Sequence, residues 1–533
     1  MASNASCVTI HKKRNMAFPL EVFSLIITNF VTASISKDGS EATVRVLRTL
    51  RFVSKTFNQL CEPHLVRNIT IPVSQSGSQH AISASALIKA NPSLAKLPRT
   101  ITLSARGAKV ADFLLEGAFD EAGPAIEHIL SLPNIQHLRI DWGTTPRRTL
   151  PCGSNISEAK RHQANVELVA VNPARITQYF TASNGLNTLS ISGVKDLPLL
   201  QIILIPNLMT LEIKHCTATI SLLEAPASDG MAVKIKKGKA LSSIKHFTAE
   251  HVKIVSPIHI ARFFPDVETI YLKEAKWDSF TYCYDLTSEW SSLITNTGIL
   301  TNSHWMLYPK LTKLSSMGAV EFDVVVNQES DIRQLPVLKE LELQQKEKWD
   351  LKYYEAIYDQ LVCLEVLKIG GDLPTKSYYK TDLSWYALRR VVKQTRHTLK
   401  EIHIAQYDLK GFSETGIEVL HDALNSVKGD NVLEVLRLDL SFQLPSLEEF
   451  RRNHHTQWRR LESLLVEDKE DFPYLKEVEI LVCLKLVTSV LRKEEEGSLK
   501  GFLQEPLWQL LTCPRYTVTC KVKVDVKLEK ADA

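Results

Sequence analysis

Residues 206–216, PNLMTLEIKHC, contain the pattern that decides the fold of this chain. The pattern is an apolar residue, any two residues, a second apolar residue, any one residue and an aliphatic residue. Its three apolar positions here are Leu208, Leu211 and Ile213. The proline two positions before Leu208 and the alternation of apolar and polar residues after it are typical of the start of a half-buried strand. The stretch therefore predicts a strand whose alternate side chains enter a core.

The same pattern recurs along most of the chain. Its other copies are Ile135-Leu138-Ile140, Leu186-Leu189-Ile191, Val267-Ile270-Leu272, a partial Leu311-Leu314, Leu338-Leu341-Leu343, Leu364-Leu367-Ile369, Leu399-Ile402-Ile404, Leu433-Leu436-Leu438, Leu461-Leu464-Val466 and Leu475-Val478-Ile480. Between copies, residues 353–361, 385–393 and 416–427 have apolar residues three and four positions apart, which is typical of helices. Strand and helix in repetition predict an α/β solenoid of stacked parallel strands with helices outside.

The spacing of the copies is irregular. Those that begin at Leu461 and Leu475 lie too close together for a whole repeat, so one of them is predicted to be misassigned. The array resembles leucine-rich repeats, whose pattern continues to an Asn or Cys three residues after the last aliphatic residue. Only Cys216 and Cys483 fit that place, which indicates a degenerate array. The alternative is a non-repetitive α/β domain in which the same pattern marks ordinary buried strands.

Residues 18–70 form a second distinctive region, and their first predicted helix has two apolar stripes. One stripe consists of Leu20, Phe23, Ile27 and Phe30, and the neighbouring one of Val22, Leu25 and Ile26. Further along, helical spacing predicts one face made of Val46, Leu50, Val53, Phe57 and Leu60, with Ser54 placed to cap a turn and Pro63 placed to end the run. A module this small has too little interior for both stripes, so one face is predicted to bind a partner.

Two motifs in this region resemble the F-box. Residues 18–22, FPLEV, stand where the family usually has Leu-Pro-x-Glu-[Ile/Val/Leu], and residues 50–58, LRFVSKTFN, resemble its second signature as found in fungal members. Phe18 replaces the usual leucine, and a polar insertion at 32–43 lengthens the first loop.

The F-box resemblance implies a three-helix module that docks on the adaptor subunit of an SCF-type ubiquitin ligase, and through it on the cullin and RING subunits. By position in the motif, the implied adaptor contacts are Pro19, Leu20, Val22, Leu25, Ile26, Val53, Phe57 and Leu60. The array would then recruit a protein target, and the chain would be a non-catalytic substrate receptor. The alternative is a repeat scaffold whose N-terminal helices only cap the solenoid, without any link to a ligase.

Composition and charge name no other partner. The 533 residues are 44% hydrophobic, and 64 basic against 60 acidic residues are too evenly balanced to indicate nucleic-acid or membrane binding. Nine scattered cysteines and no apolar leader predict free thiols in a reducing compartment, cytoplasmic or nuclear. The longest uncharged apolar stretch, 197–211, is too short to span a bilayer.

Signs of catalysis are sparse. The sequence has no phosphate-binding glycine loop, no Gly-x-Ser-x-Gly elbow and no His-Glu-x-x-His motif, so no enzyme activity and no cofactor are predicted. The adjacent His454 and His455 would point apart on a helix, and Cys513 and Cys520 are poorly spaced for zinc. Four tryptophans near the strands are either packing residues or exposed binding anchors, and they are Trp142, Trp277, Trp349 and Trp385.

These patterns divide the chain into five parts. Residues 1–15 are predicted to be a disordered tail, 16–70 the F-box-like module, 71–92 a linker with a short helix, 93–512 the array, and 513–533 an edge strand and tail. From Tyr516 to Leu528 apolar residues alternate with polar ones, many of them lysines, as in a half-buried strand. Because charge on an edge strand discourages unwanted pairing, this strand is predicted to close the array.

Overall fold

The computed structural model of the chain describes residues 22–27, 29, 46–47, 49–50, 52–72, 75–104, 118–141, 169–170, 185–195, 197–203, 205–219, 242–256, 264, 266–279, 308–317, 335–345, 358, 360–372, 383–410, 416–444, 447–468, 470–487 and 507–527. Within these ranges the strands are β1 Asn68–Pro72, β2 Thr100–Ser104, β3 His137–Asp141, β4 Val169–Ala170, β5 Thr188–Ser192, β6 Val194–Lys195, β7 Leu197–Pro198, β8 Thr210–Lys214, β9 Thr217–Thr219, β10 His246–Glu250, β11 Lys253–Ser256, β12 Thr269–Lys273, β13 Lys276–Ser279, β14 Lys313–Met317, β15 Glu340–Gln345, β16 Val366–Asp372, β17 Glu401–Lys410, β18 Val435–Leu444, β19 Glu477–Val487 and β20 Thr517–Lys527. The helices are α1 Lys55–Arg67, α2 Gln75–Ala90, α3 Ala118–Leu130, α4 Leu199–Ile203, α5 Leu383–Gln394, α6 Gly416–Asn425, α7 Leu447–Val466 and α8 Trp508–Leu511, with a 3₁₀ helix at Pro92–Lys96.

Fourteen of the described strands form one parallel sheet, in the order β1-β2-β3-β5-β8-β10-β12-β14-β15-β16-β17-β18-β19-β20. The order follows the chain without reversal, as in a stack of repeats. Neighbouring strands pair in register, so that Leu211 of β8 lies between Leu189 and Phe247. All three side chains are buried, and repetition of this row from strand to strand produces one continuous core. The described array is therefore a mixed α/β solenoid that resembles leucine-rich repeats.

Most of the predicted strand pattern is confirmed. Every predicted copy except one lies at a strand of the long sheet. The exception is Leu461-Leu464-Val466, which lies in helix α7 and packs two leucines into the core, so this copy is the misassigned one. Within the long sheet, the pattern missed three of the described strands, β1, β2 and β10, whose inward residues include Ala249 and Ile101. Strand β20 lies at the end of the sheet beside β19, where the alternating tail predicted an edge.

Three local expectations are wrong. Pro63 does not end the helical run, because α1 continues to Arg67. Residues 71–92, predicted as a linker with a short helix, instead contain the end of β1 and the 16-residue helix α2. The face predicted from Val46 to Leu60 is interrupted by a turn at Phe52 and Val53, after which Ser54 caps α1. Helices α5 and α6 agree with the patterns at 385–393 and 416–427.

A sharp bend follows strands β5, β8, β10 and β12. The first residue after each strand has a left-handed backbone, with φ of 78° at Gly193, 49° at His215, 51° at His251 and 48° at Glu274. The next residue in each turn is buried, and these residues are Val194, Cys216, Val252 and Ala275. Cys216 stands at the predicted leucine-rich-repeat position, where its sulfur accepts a hydrogen bond from the Val194 amide at 3.4 Å. Cys483 instead lies half-buried within β19.

Candidate protein interface

The N-terminal helices have a small core of their own. Ile27, Leu47 and Cys61 are buried together, with Leu50, Phe57 and Leu60 packed partly against them. The rings of Phe23 and Phe57 meet edge to face, with centroids 5.2 Å apart. The Ser54 hydroxyl accepts a hydrogen bond from the Phe57 amide at 3.1 Å and so caps α1. The first predicted stripe, through Phe23 and Ile27, therefore faces inward.

The second predicted stripe faces outward. Val22, Leu25 and Ile26 are exposed, with Leu25 61% and Ile26 57% accessible to solvent. Their spacing puts them on one side of the helical segment 22–27. The turn before α1 adds Phe52 and Val53, which are 79% and 64% exposed. Because apolar area in contact with water is unfavourable by roughly 25 cal/mol per Å², this group of exposed apolar side chains is a candidate protein interface.

The predicted adaptor contacts thus divide into three groups. Val22, Leu25, Ile26 and Val53 are exposed. Phe57 and Leu60 are half-buried against the small core. Pro19, Leu20 and the insertion at 32–43 lie outside the described residues.

Two further exposed residues of this region, Phe52 and Val46, are not among the predicted adaptor contacts. The helical spacing places Val46 on one face with Leu50 and Phe57, but the turn at Phe52 and Val53 interrupts that face. Ser54, which the sequence already placed to cap a turn, marks the point where the run breaks before α1.

The outer face of the long sheet is polar and partly exposed. On its margin, the Glu250 carboxylate lies 2.5 Å from Lys273 Nζ and 3.7 Å from Lys214 Nζ. Burial alone would raise the pKa of Glu250, but the hydrogen bond from Lys273 and the surrounding cations lower it below its ordinary value. Around Glu250 the acidic and basic side chains therefore neutralise one another.

Two histidines stack beside this carboxylate. The rings of His215 and His251 are parallel within 6°, with centroids 4.8 Å apart, and His251 Nδ1 lies 2.8 Å from Glu274. Burial, followed by the neighbouring His251, lowers the pKa of His215. The stack joins the bends of successive repeats, since both histidines occupy the left-handed turn position.

The described residues offer little for catalysis or metal binding. No group of three or more His, Cys, Asp or Glu side chains among them is arranged to hold a metal ion. Burial raises the pKa of the Cys216 thiol to about 12, so that thiol is not a nucleophile near neutral pH. His454 and His455 lie in α7, while Cys513 and Cys520 are half-buried.

The two interpretations of the four tryptophans, packing and binding, stay predictions. Trp142 and Trp349 fall outside the described residues, and Trp277 and Trp385 lie in β13 and α5. The same part of the chain contains no helix that is long and apolar enough to cross a membrane.

No protein-family model matches the chain, and no curated protein matches it in sequence. Among solved structures, a leucine-rich-repeat protein of Leptospira interrogans is 15% identical, with 70% of this chain and 82% of that chain covered and a TM-score of 0.30. An internalin of Listeria monocytogenes is 8% identical, with 74% and 82% covered and a TM-score of 0.24. The description of this chain as a leucine-rich-repeat-like solenoid therefore rests on its own strands and turns.

Proposed function

We propose that this protein is a non-catalytic receptor subunit of an SCF-type ubiquitin ligase. The N-terminal helices would dock on the ligase adaptor subunit, and through it on the cullin and RING subunits, while the array recruits a protein target. Such a receptor accelerates transfer by holding the target near the enzyme that carries ubiquitin. The F-box-like motifs at 18–22 and 50–58 motivate the assignment, and the outward stripe of Val22, Leu25 and Ile26 supports it.

The outward stripe is the observation that carries the proposal. The same helical segment packs Phe23 and Ile27 inward, so it already has its share of the small core. A second apolar face on such a helix has no use inside the module, whereas a groove on a partner would bury it. Apolar side chains at positions i, i+3 and i+4 of a helix, as at Val22, Leu25 and Ile26, are the usual anchors of a helix that binds in a groove.

A second candidate, a cap for the solenoid, is favoured by the junction between α1 and β1. Helix α1 passes into β1 at Asn68 without a linker, and the Arg99 amide donates a hydrogen bond to the Arg67 carbonyl at 2.8 Å. A helix in this place shields the first strand of the array, as terminal caps do. A cap with no further partner, however, is expected to have a polar outer face.

Capture of the purified adaptor subunit separates the two candidates. We expect the full chain to capture it, and the double variant Leu25→Glu with Ile26→Glu to weaken capture at least about tenfold, since buried charge without a partner is costly. Glutamate keeps helix propensity, and both side chains are exposed, so the fold should survive.

The matched control is Leu87→Glu in α2, where the leucine is also exposed. This variant should capture the adaptor as the wild type does. If the wild-type chain does not capture the adaptor, or if the double variant captures it equally well, the receptor assignment is wrong. The second candidate, a cap for the solenoid, is then retained.

A further inference from the structure

A groove of about 500 Å³ crosses the edge of the long sheet at which β5, β8, β10, β12 and β14 begin. Its walls use the same two positions of successive repeats, one and three residues before each strand. Asn187, Met209, Lys245 and Glu268 occupy the nearer position, and Gly185, Asn207, Ser243, Asp266 and Lys310 the farther one. Because strands are spaced about 4.8 Å apart, five of them give the groove a length of roughly 19 Å.

The floor of the groove is held by a continuous backbone ladder. The Met209 amide donates to the Asn187 carbonyl and the Lys245 amide to the Met209 carbonyl, both at 2.8 Å. The Glu268 amide continues the ladder to the Lys245 carbonyl at 2.7 Å. A groove built on such a ladder is largely preformed, which lowers the entropic cost of binding.

The two ends of the groove differ in chemistry. At one end Lys245 pairs with Glu268 at 2.8 Å, and Lys310 pairs with Asp266 at 2.6 Å, so the charges cancel. At the other end the lining is uncharged. Gly185 adds no side chain to this wall of the groove. There is little space for one, because a Cβ at this position would lie 3.0 Å from the Ile135 carbonyl oxygen.

The uncharged end presents groups that recognise peptide main chain. Asn134, at the same place in an earlier repeat, donates its amide to the Lys96 carbonyl at 2.6 Å. Asn207 makes no corresponding side-chain bond within the described residues, although its backbone is held in a left-handed turn with φ of 66°. An asparagine amide can both donate to and accept from a peptide group.

Beside Asn207 lies Met209, which is 41% exposed. Methionine is flexible and polarisable, and it adapts to varied apolar side chains. Among the described residues that line the groove none is aromatic, so the stacking platform that bases require is missing there.

We propose that this groove binds an extended, weakly charged segment of a partner polypeptide. An apolar side chain of the segment would lie on Met209 and its main chain would face Asn187 and Asn207. Roughly 19 Å accommodates about six extended residues. This inference rests on the proposed function, in which the array recruits the target. It places the target-binding site at the edge of the long sheet.

A random linear heptapeptide display library, selected on the purified full chain, supplies the probe. The affinities of the enriched peptides are then measured by fluorescence polarisation. Asn207→Gly removes the amide and still permits the left-handed backbone, while Met209→Glu places a charge in the groove. Both variants should weaken binding of the enriched peptides about tenfold or more.

The control is Asn134→Gly, the same substitution at the same repeat position outside the groove, which should leave peptide affinity unchanged. Absence of enriched peptides, or enriched peptides that bind both groove variants as tightly as the wild type, would overturn the inference. Adaptor capture is measured on the same proteins. If the full chain binds the enriched peptides but does not capture the adaptor, only the ligase assignment is rejected. If it captures the adaptor but yields no groove-dependent peptides, only the groove proposal is rejected.

Discussion

The N-terminal helices and the repeat array treat their apolar side chains in opposite ways. In the array, rows such as Leu189, Leu211 and Phe247 are covered by the strands on either side. Among the described residues of the N-terminal region, three form the buried core, and Leu25, Ile26 and Phe52 remain in solvent. The array covers its apolar rows by stacking, whereas the described N-terminal helices keep several large apolar side chains exposed.

The largest effect is expected when the same substitution, leucine to alanine, is made in both regions. Leu211→Ala should destabilise the array by about 2–5 kcal/mol, because it leaves a cavity between two neighbouring rows. Leu25→Ala should change stability by no more than about 0.5 kcal/mol, since its side chain is exposed. Urea unfolding followed by circular dichroism measures both. Equal effects at the two positions would mean that Leu25 is packed in solution.

A smaller effect is expected at the cap of α1. Ser54→Ala removes the acceptor for the Phe57 amide and should cost about 1 kcal/mol, felt mainly in the N-terminal helices. Amide hydrogen exchange should speed up in α1 and stay unchanged in β8 to β20. Ser54→Asp keeps an acceptor and should restore protection. Faster exchange throughout the array would instead show that the two regions unfold as one unit.

The smallest effect is expected on the stability of the fold at acidic pH. Burial alone would raise the pKa of Glu340, but hydrogen bonds from Lys313 at 2.9 Å and Lys368 at 3.0 Å lower it below 4.5. A lowered folded pKa means that the stabilisation is fully present above about 4.5 and is lost as the pH falls through the folded value.

Melting temperatures measured between pH 7 and pH 3 check this point. Wild-type stability should fall in the acid part of the range, and Glu340→Gln should show a shallower fall over the same interval. Glu470→Gln, at an exposed position, is the control and should follow the wild type. A Glu340→Gln profile parallel to that of the wild type would contradict a role for this ion pair in acid sensitivity.

Ion pairs of the same kind run along the sheet edge outside the groove. Glu365 lies 2.8 Å from Lys339 and 3.0 Å from Lys400, and Glu434 lies 2.5 Å from Lys476. Cations and anions alternate here in residues that are distant in the chain. Exposed pairs add little stability individually. They favour one register of neighbouring strands, since a slip would place like charges together.

The sequence predicted much of the array because a parallel strand buried on one face needs apolar residues at alternate positions. Leu208, Leu211 and Ile213 express that requirement directly. It failed at Leu461, where helix spacing and strand spacing share the same three-residue step, so the local pattern does not separate them. It also failed at Ala249, because an alanine in a buried row carries little apolar signal.

For the candidate interfaces, the local sequence determined that the first helix has two apolar stripes, and it supplied the F-box-like motifs. Tertiary packing decided which stripe faces inward, because only contact with Leu47, Phe57 and Cys61 distinguishes Ile27 from Ile26. The edge groove depends on tertiary structure even more. Asn187, Met209 and Lys245 are scattered along the chain, and parallel stacking in register brings them together.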